Sequence, residues 1–256
     1  MEAALDGVAE AGARHVEPAF IRGYVPFTED DLEDGPARAM RRALEDRGLL
    51  AGALSAHLDL SAPDAARALR RRIRFAALIG APFVVTNAGP AAAEDAIRRT
   101  LDAALGEEGA TVLLENPGHG AGDLVPDAAA GAALLERIDA DPARLGLNLD
   151  LGNVHTYGRG AVPLPGQVAA AGRWLRHLHL KDVRDTGTGW RFTAVGAGDL
   201  PHADLLGEVP AQVSLGLELP LRLRRVGYAD PSRAEAPVPL AQIAEAVRAS
   251  LATVGR

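Results

Sequence analysis

The chain contains no cysteine. A disulfide framework, a thiol nucleophile and a cysteine-ligated zinc site are therefore excluded. The lack of disulfides fits a cytoplasmic location. Lysine is nearly absent too: of 27 Lys+Arg residues, only Lys181 is a lysine. A general bias toward arginine explains the scarcity. A position that needs a compact ammonium in place of a planar guanidinium would explain the exception. No apolar run approaches the roughly 18 residues that suggest a membrane span. The opening residues, Met1-Glu2-Ala3-Ala4-Leu5-Asp6, are acidic and do not read as a secretory signal. Basic charge is also in deficit, with 27 cationic against 34 anionic side chains and a net charge of −7. This balance disfavours a protein that grips phosphate backbones, so neither nucleic acid nor membrane is an expected partner.

What is present is an ordinary globular composition: 256 residues, 48% hydrophobic and 24% charged. That length fits one α/β domain spanning 1–256. Two textures alternate along it. Alanine- and arginine-rich stretches with helical spacing give way to short β-branched or leucine runs. The spacing predicts helices over 2–12, 36–47, 61–79, 91–105, 126–138, 164–174, 200–208 and 239–253. It predicts strands over 14–18, 51–58, 82–87, 111–116, 145–150, 175–181 and 213–219. Strands alternating with helices indicate βαβ units and a parallel sheet. The expected fold is a TIM (β/α)8-type barrel that lacks the strand before its first helix, with a doubly wound open sheet as the alternative. Such a gap leaves unpaired edges, which an upstream start, another segment or a partner copy would fill. A homo-oligomer is one such arrangement. The stretch 222–238 has no clear periodicity and reads as an exposed loop, or as one that rims a pocket or a dimer contact.

Barrel chemistry sits at the C-terminal ends of the strands. Four consecutive predicted strands end in Glu115, Asp150, His179 and Glu218. Three carboxylates converging with one imidazole would repel one another without a cation between them. The donor set suits Mn²⁺ or Mg²⁺, and also admits Co²⁺, Fe²⁺ or Zn²⁺. Residues 177, 179 and 181 share one strand face. Of the two histidines, His179 lies nearer the strand end and is the ligand candidate. His177 sits one layer deeper and reads as structural. Lys181 falls on the same face, where its amine could steady a substrate oxygen, or pair with Asp182 or a ligand carboxylate.

The segments LLEN, LNLDLGNVHTYG, LRHLHLKD, VGAGDL and GLELP, together with RHVEPAF and ALIGAPFVV, resemble the sugar phosphate isomerase/epimerase superfamily of xylose-isomerase-like barrels. Endonuclease IV shares that fold. The resemblance implies a metal held by Glu115, Asp150, His179 and Glu218. It also implies that Glu115 and Glu218 shuttle a proton through a metal-stabilised enediolate of a small sugar, sugar phosphate or cyclitol ketone. Two departures stand out. Asp150-Leu151-Gly152-Asn153 replaces the family's frequent Asp-x-x-His, and Asn87 stands where many members have histidine. Losing those imidazoles disfavours a multi-zinc phosphodiesterase.

Several further residues are expected near substrate: His57, Asn87, Asn116, Asn153 and His155, the last on a loop. His119 and Trp190 are weaker candidates. Gly196-Ala197-Gly198 reads as a turn or lid segment more than as a phosphate loop. Competing readings are an inosose-type dehydratase, a Schiff-base lyase using Lys181, and a non-catalytic metal- or sugar-binding barrel.

Overall fold

Apolar side chains at i, i+3, i+4 and i+7 bury one stripe of each long helix against a parallel sheet. A computed structural model describes residues 2–106, 109–116, 122–233 and 236–255. Its first half runs α1 (Glu2–Glu10), β1 (His15–Val16), α2 (Asp34–Glu45), β2 (Leu50–Ala51), β3 (Leu54–Ser55), α3 (Ala65–Ile79), β4 (Phe83–Asn87), α4 (Glu94–Ala104) and β5 (Thr111–Glu115). It continues with α5 (Ala128–Arg137), β6 (Leu145–Asp150), α6 (Leu151–Tyr157), α7 (Gln167–Ala171), β7 (Leu175–Leu180), β8 (Asp182–Asp185) and β9 (Gly189–Thr193). The last elements are α8 (His202–Glu208), β10 (Ser214–Leu217), β11 (Leu223–Val226), β12 (Ser232–Arg233) and α9 (Leu240–Val254). In α3 the buried stripe is Leu69, Arg72, Ile73, Ala76 and Ile79; in α4 it is Ile97, Thr100, Leu101 and Ala104. Among the described residues, no helix is long and apolar enough to cross a membrane.

Six strands form one parallel sheet in the order β10-β7-β6-β5-β4-β3. The β1–β2 pair and a bridge from Ala19 to Ser55 extend the arc beyond β3. This is a TIM-type barrel that is not closed: among the described residues no strand lies between β10 and β1. Outward side chains such as Leu114, Leu147, Leu149, Leu178 and Leu180 pack with the helices in the main core. Inward ones make a small separate cluster of Ala53, Val85 and Leu113, with Phe83 beside it. Alternation along the strands thus separates an apolar shell from a lumen whose upper layers are polar.

One irregularity sets the phase of the site. β6 pairs with β7 as Leu147↔Leu175 and then Asn148↔His177, leaving Arg176 as an extra residue. An unpaired residue of this kind shifts the inward–outward alternation of its strand. Leu175 therefore packs in the main core, while His177 and His179 lie in register with the lumen residues Asn148 and Asp150.

Several expectations need correction. The expected strand 51–58 is two short strands, β2 and β3. The residues after Asp150 are helical, so His155 lies on α6 and not on a loop. Residues 222–238 are not one irregular loop. Within them β11 and β12 join β8 and β9 in a four-stranded antiparallel sheet, ordered β12-β11-β9-β8. These strands are two to five residues long and rich in arginine, so their alternation carries little hydrophobic signal. Trp190 and Arg225 are cross-strand partners and both are buried. The Arg225 guanidinium lies 3.8 Å from the centre of the Tyr157 ring and 5.5 Å from that of Trp190. Trp190 also meets His155 edge-on at 5.9 Å. One face of the antiparallel sheet thereby covers α6 as a lid.

Gly146 tests the packing of the lumen. A Cβ there would lie 2.8 Å from Arg176 Cγ, 3.0 Å from the Trp174 carbonyl oxygen and 3.1 Å from Leu113 Cδ2. Gly146→Ala is expected to destabilise the fold by about 1–3 kcal/mol through overpacking. Urea unfolding should show a lower midpoint with an unchanged slope; an unshifted midpoint would show free space beside the β7 bulge.

Candidate metal and active site

The upper lumen gathers the four expected ligands. Glu115 ends β5, Asp150 ends β6, His179 lies on β7 and Glu218 follows β10. One donor atom from each lies within 4.8 Å of every other. His179 Nδ1 is 2.8 Å from Glu115 Oε1 and 3.4 Å from Glu218 Oε2. Glu115, Asp150 and His179 are buried, whereas the Glu218 side chain is 41% exposed and is the member open to an incoming molecule.

Lys181 enters the same cluster. Its Nζ lies 2.8 Å from Asp150 Oδ2 and 2.9 Å from Glu218 Oε1, and it donates to Asn153 Oδ1 at 3.1 Å. The lone lysine thus pairs with the ligand carboxylates and not with Asp182. The Asp182 carboxylate instead accepts from the backbone N–H groups of Val183, Gly196, Gly198 and Leu200. Gly198 has to be glycine, since a Cβ would lie 2.1 Å from Asp182 Oδ1. Two N–H groups of the 196–198 segment are therefore committed to Asp182, which makes the segment a pinned turn beneath the lid.

Glu17, just past β1, is a site residue that the strand-end reading did not single out. It accepts from Ser55 Oγ at 2.7 Å, and its Oε2 lies 3.1 Å from His177 Nε2. Its two oxygens lie 3.1 and 3.2 Å from His179 Nε2. A carboxylate on Nε2 favours a proton there and aims Nδ1 at Glu115 and Glu218, so Nδ1 is the nitrogen a metal would take once its own proton is released. The sequence signal was the RHVEP strand, whose glutamate has the parity of a lumen residue. His177 lies in the lower layer as expected, held by Ser214 Oγ at 2.6 Å.

The remaining candidates divide. His57 Nε2 is 2.9 Å from Glu115 Oε2. Asn87 is the register partner of Glu115, and among the described residues its buried Oδ1 has no hydrogen-bond partner. These two face the cluster. Asn116 is committed to the main chain: its Nδ2 donates to the Asp150 carbonyl at 2.9 Å and its Oδ1 accepts from the Asp150 N–H at 2.7 Å. Asn153 donates to the Asn116 carbonyl while holding Lys181, so it too acts through a neighbour. His155 packs beneath Trp190. His119 lies outside the described residues.

Crowded charge dominates the electrostatics. Burial opposes ionisation of Glu115, but His179 and His57 outweigh it and hold the carboxyl below its usual range. Asp150 is pushed up to about 6 in all: burial is the largest cause, Glu218 and Glu115 add to it, and Lys181 and His179 oppose it. Burial opposes the charges on His179 and Lys181 as well. Glu17 and Glu115 nonetheless raise His179 well above its ordinary value, and Asp150 and Glu218 raise Lys181. The same protons that steady these carboxylates would have to yield to a cation.

The family model described as xylose isomerase-like TIM barrel matches residues 5–236. No curated protein matches the chain in sequence. Among solved structures, a xylose isomerase domain protein from Planctomyces limnophilus is similar at 17% identity and TM-score 0.71, covering 98% of this chain and 90% of that one. D-psicose 3-epimerase, solved in the presence of D-fructose, is similar at 14% identity and TM-score 0.71, covering 100% and 94%. The probable 3-DHS dehydratase AsbF from Bacillus anthracis is similar at 15% identity and TM-score 0.67, covering 98% and 92%. At these identities the likeness shows the fold. The matched family model spans most of the chain, and the protein belongs to the xylose isomerase-like TIM barrel family.

Proposed function

We propose that the chain is a divalent-metal-dependent isomerase or epimerase of a small polyhydroxy ketone: a sugar, a sugar phosphate or a cyclitol ketone. The observation that carries this reading is the set of four donor atoms within 4.8 Å at the ends of neighbouring parallel strands. The residues fit a cation. Asp150 Oδ2 is fully buried, and the cation beside it is Lys181 Nζ at 2.8 Å, an ammonium shared with Glu218. Glu17, Glu115, Asp150 and Glu218 face one ammonium, and neutral imidazoles would leave the negative charge in excess. Glu115, Asp150, His179 and Glu218 would hold the ion, with Mn²⁺ or Mg²⁺ favoured by the oxygen-rich set. When bound, a divalent ion acidifies the carbon between a carbonyl and its neighbouring hydroxyl.

The chain's own groups do the rest. Glu115 and Glu218 stand on different strands and can take a proton from one side of a substrate carbon and return one from the other. Lys181 supplies fixed positive charge where an oxyanion would develop. Asn87 Oδ1 offers an acceptor for a substrate hydroxyl. The sheet bearing Trp190 covers α6, whose first turn Asp150 caps. The likeness to a dehydratase and the HLHLKD segment favour a second reading, loss of a hydroxyl from an inosose-type substrate through the same carboxylates.

Three outcomes are expected. First, metal analysis of purified protein should find Mn²⁺ or Mg²⁺, and a chelator should abolish turnover of ketoses, their phosphates or inososes followed by NMR in deuterated water. Deuterium uptake without loss of water marks the isomerase, and loss of water marks the dehydratase. Glu115→Gln and Glu218→Gln should each slow turnover by about 10²–10⁴-fold; near-normal rates in both would end the two-carboxylate mechanism.

Second, His179 is protonated in the metal-free protein at neutral pH, because its pKa is raised well above the ordinary value. Ligation needs a free nitrogen, so Mn²⁺ binding should release about one proton at pH 7. Calorimetry in buffers of different ionisation enthalpy reads this directly, and zero release would remove His179 from the ligand set. Third, Lys181→Arg should lose most activity while the protein stays folded by circular dichroism. Full activity there would show that any cation serves at that position.

A further inference from the structure

The lid sheet has a second face that the site does not use. In its antiparallel register Arg184 lies opposite Arg191, and Arg191 lies opposite Arg224. All three side chains are exposed. Like charges directly opposite one another destabilise a sheet. Neighbouring strands are about 4.8 Å apart, so the row sets three guanidinium groups along roughly 10 Å. With Arg233 they line a groove of about 890 Å³ between the sheet and α9, walled on its apolar side by Leu221, Val226 and Ala246. Val226 is 68% exposed.

Elsewhere in the molecule many arginines are answered by carboxylates: Arg74 by Asp34, Arg137 by Glu94, Arg173 by Glu136. The row is different. Among the described residues, the Arg191 and Arg224 side chains have no partner, and Arg184 bonds only the Ala197 carbonyl. Among the described residues that line the groove, the one acid, Glu245, is held by Arg248. Asp185, adjacent to Arg184, pairs in register with Trp190 on the other face and accepts from the Tyr228 hydroxyl at 3.2 Å. Among the described residues, a chain with a net charge of −7 thus gathers positive charge without carboxylate partners in one concave place. A row of like charges that is unfavourable to the sheet alone is one that a bound polyanion would stabilise.

We infer that this groove binds a small polyanion carrying two or more phosphate groups. Guanidinium groups present paired donors that match phosphate oxygens. Neighbouring arginines one strand apart suit two linked phosphates, and a ligand across the row would cancel the repulsion between β8, β9 and β11. The site lies on the face opposite Trp190 and Arg225, so it is separate from the carboxylate cluster.

The test uses the full chain without added metal, at low ionic strength, with sodium pyrophosphate as the probe. Calorimetry should give one site per chain, and thermal unfolding should shift upward by more than sodium chloride of equal ionic strength produces. Arg191→Gln with Arg224→Gln should weaken binding at least about tenfold. At low salt the same pair should leave the unliganded protein as stable as the parent or more so, because like charges are removed. Arg38→Gln, far from the groove, should leave affinity unchanged. Equal stabilisation by chloride, or unchanged affinity in the double variant, would overturn the site. A single-stranded RNA that binds more tightly than pyrophosphate and needs the same two arginines would overturn the small-ligand assignment.

Discussion

Buried negative charge at the mouth of the lumen is the constraint to which the surrounding structure answers. Glu115, Asp150 and Glu218 cannot share so small a space unless cations stand among them. In the protein alone, His179 and Lys181 fill that role, each touching two of the three carboxylates or their neighbours. Around this centre lies a ring of groups that fix orientation: Glu17 and Asn148 on His179, Asn153 on Lys181, Asn116 on the backbone of Asp150. The fold supplies the strand ends, and these second contacts set the direction of each side chain.

The ligand set was legible because strand ends in a parallel sheet share one height. Four short apolar runs, each ending in a ligand-type residue, are enough to bring Glu115, Asp150, His179 and Glu218 together. The likeness of LRHLHLKD to the family pointed the same way. Local pattern was less informative about what occupies each side chain. Asn116 and Asn153 look like pocket residues in sequence, yet their amides are satisfied across 34 and 37 residues of chain by groups no local window contains. Glu17 was hidden for the same reason, since its partners lie 160 and 162 residues away. The lid strands escaped detection because they are two to five residues long and carry five arginines, so the short Trp190–Phe192 face of β9 did not stand out.

Asp182 joins the two halves of this architecture. It follows Lys181 directly in the chain, so one peptide unit separates the amine in the cluster from the carboxylate that pins the 196–200 turn. The aromatic stack of Trp190, Arg225 and Tyr157 then ties the lid to α6, whose first turn is capped by Asp150. Lid and ligands are thus parts of one hydrogen-bonded frame.

The flank between β10 and β1 behaves differently from the rest of the wall. Side chains span it: Glu17 reaches His177 and His179 inside, and Arg233 reaches the carbonyls of Gly23 and Tyr24 outside. Parting this flank breaks side-chain contacts and the packing of α1 on α9, whereas parting two strands elsewhere also breaks a ladder. Local opening of a protein begins where the fewest bonds hold. The barrel therefore has a weak seam at the imidazole that carries its charge, and slow breathing there would reach the cluster from the side before the lid ever lifted.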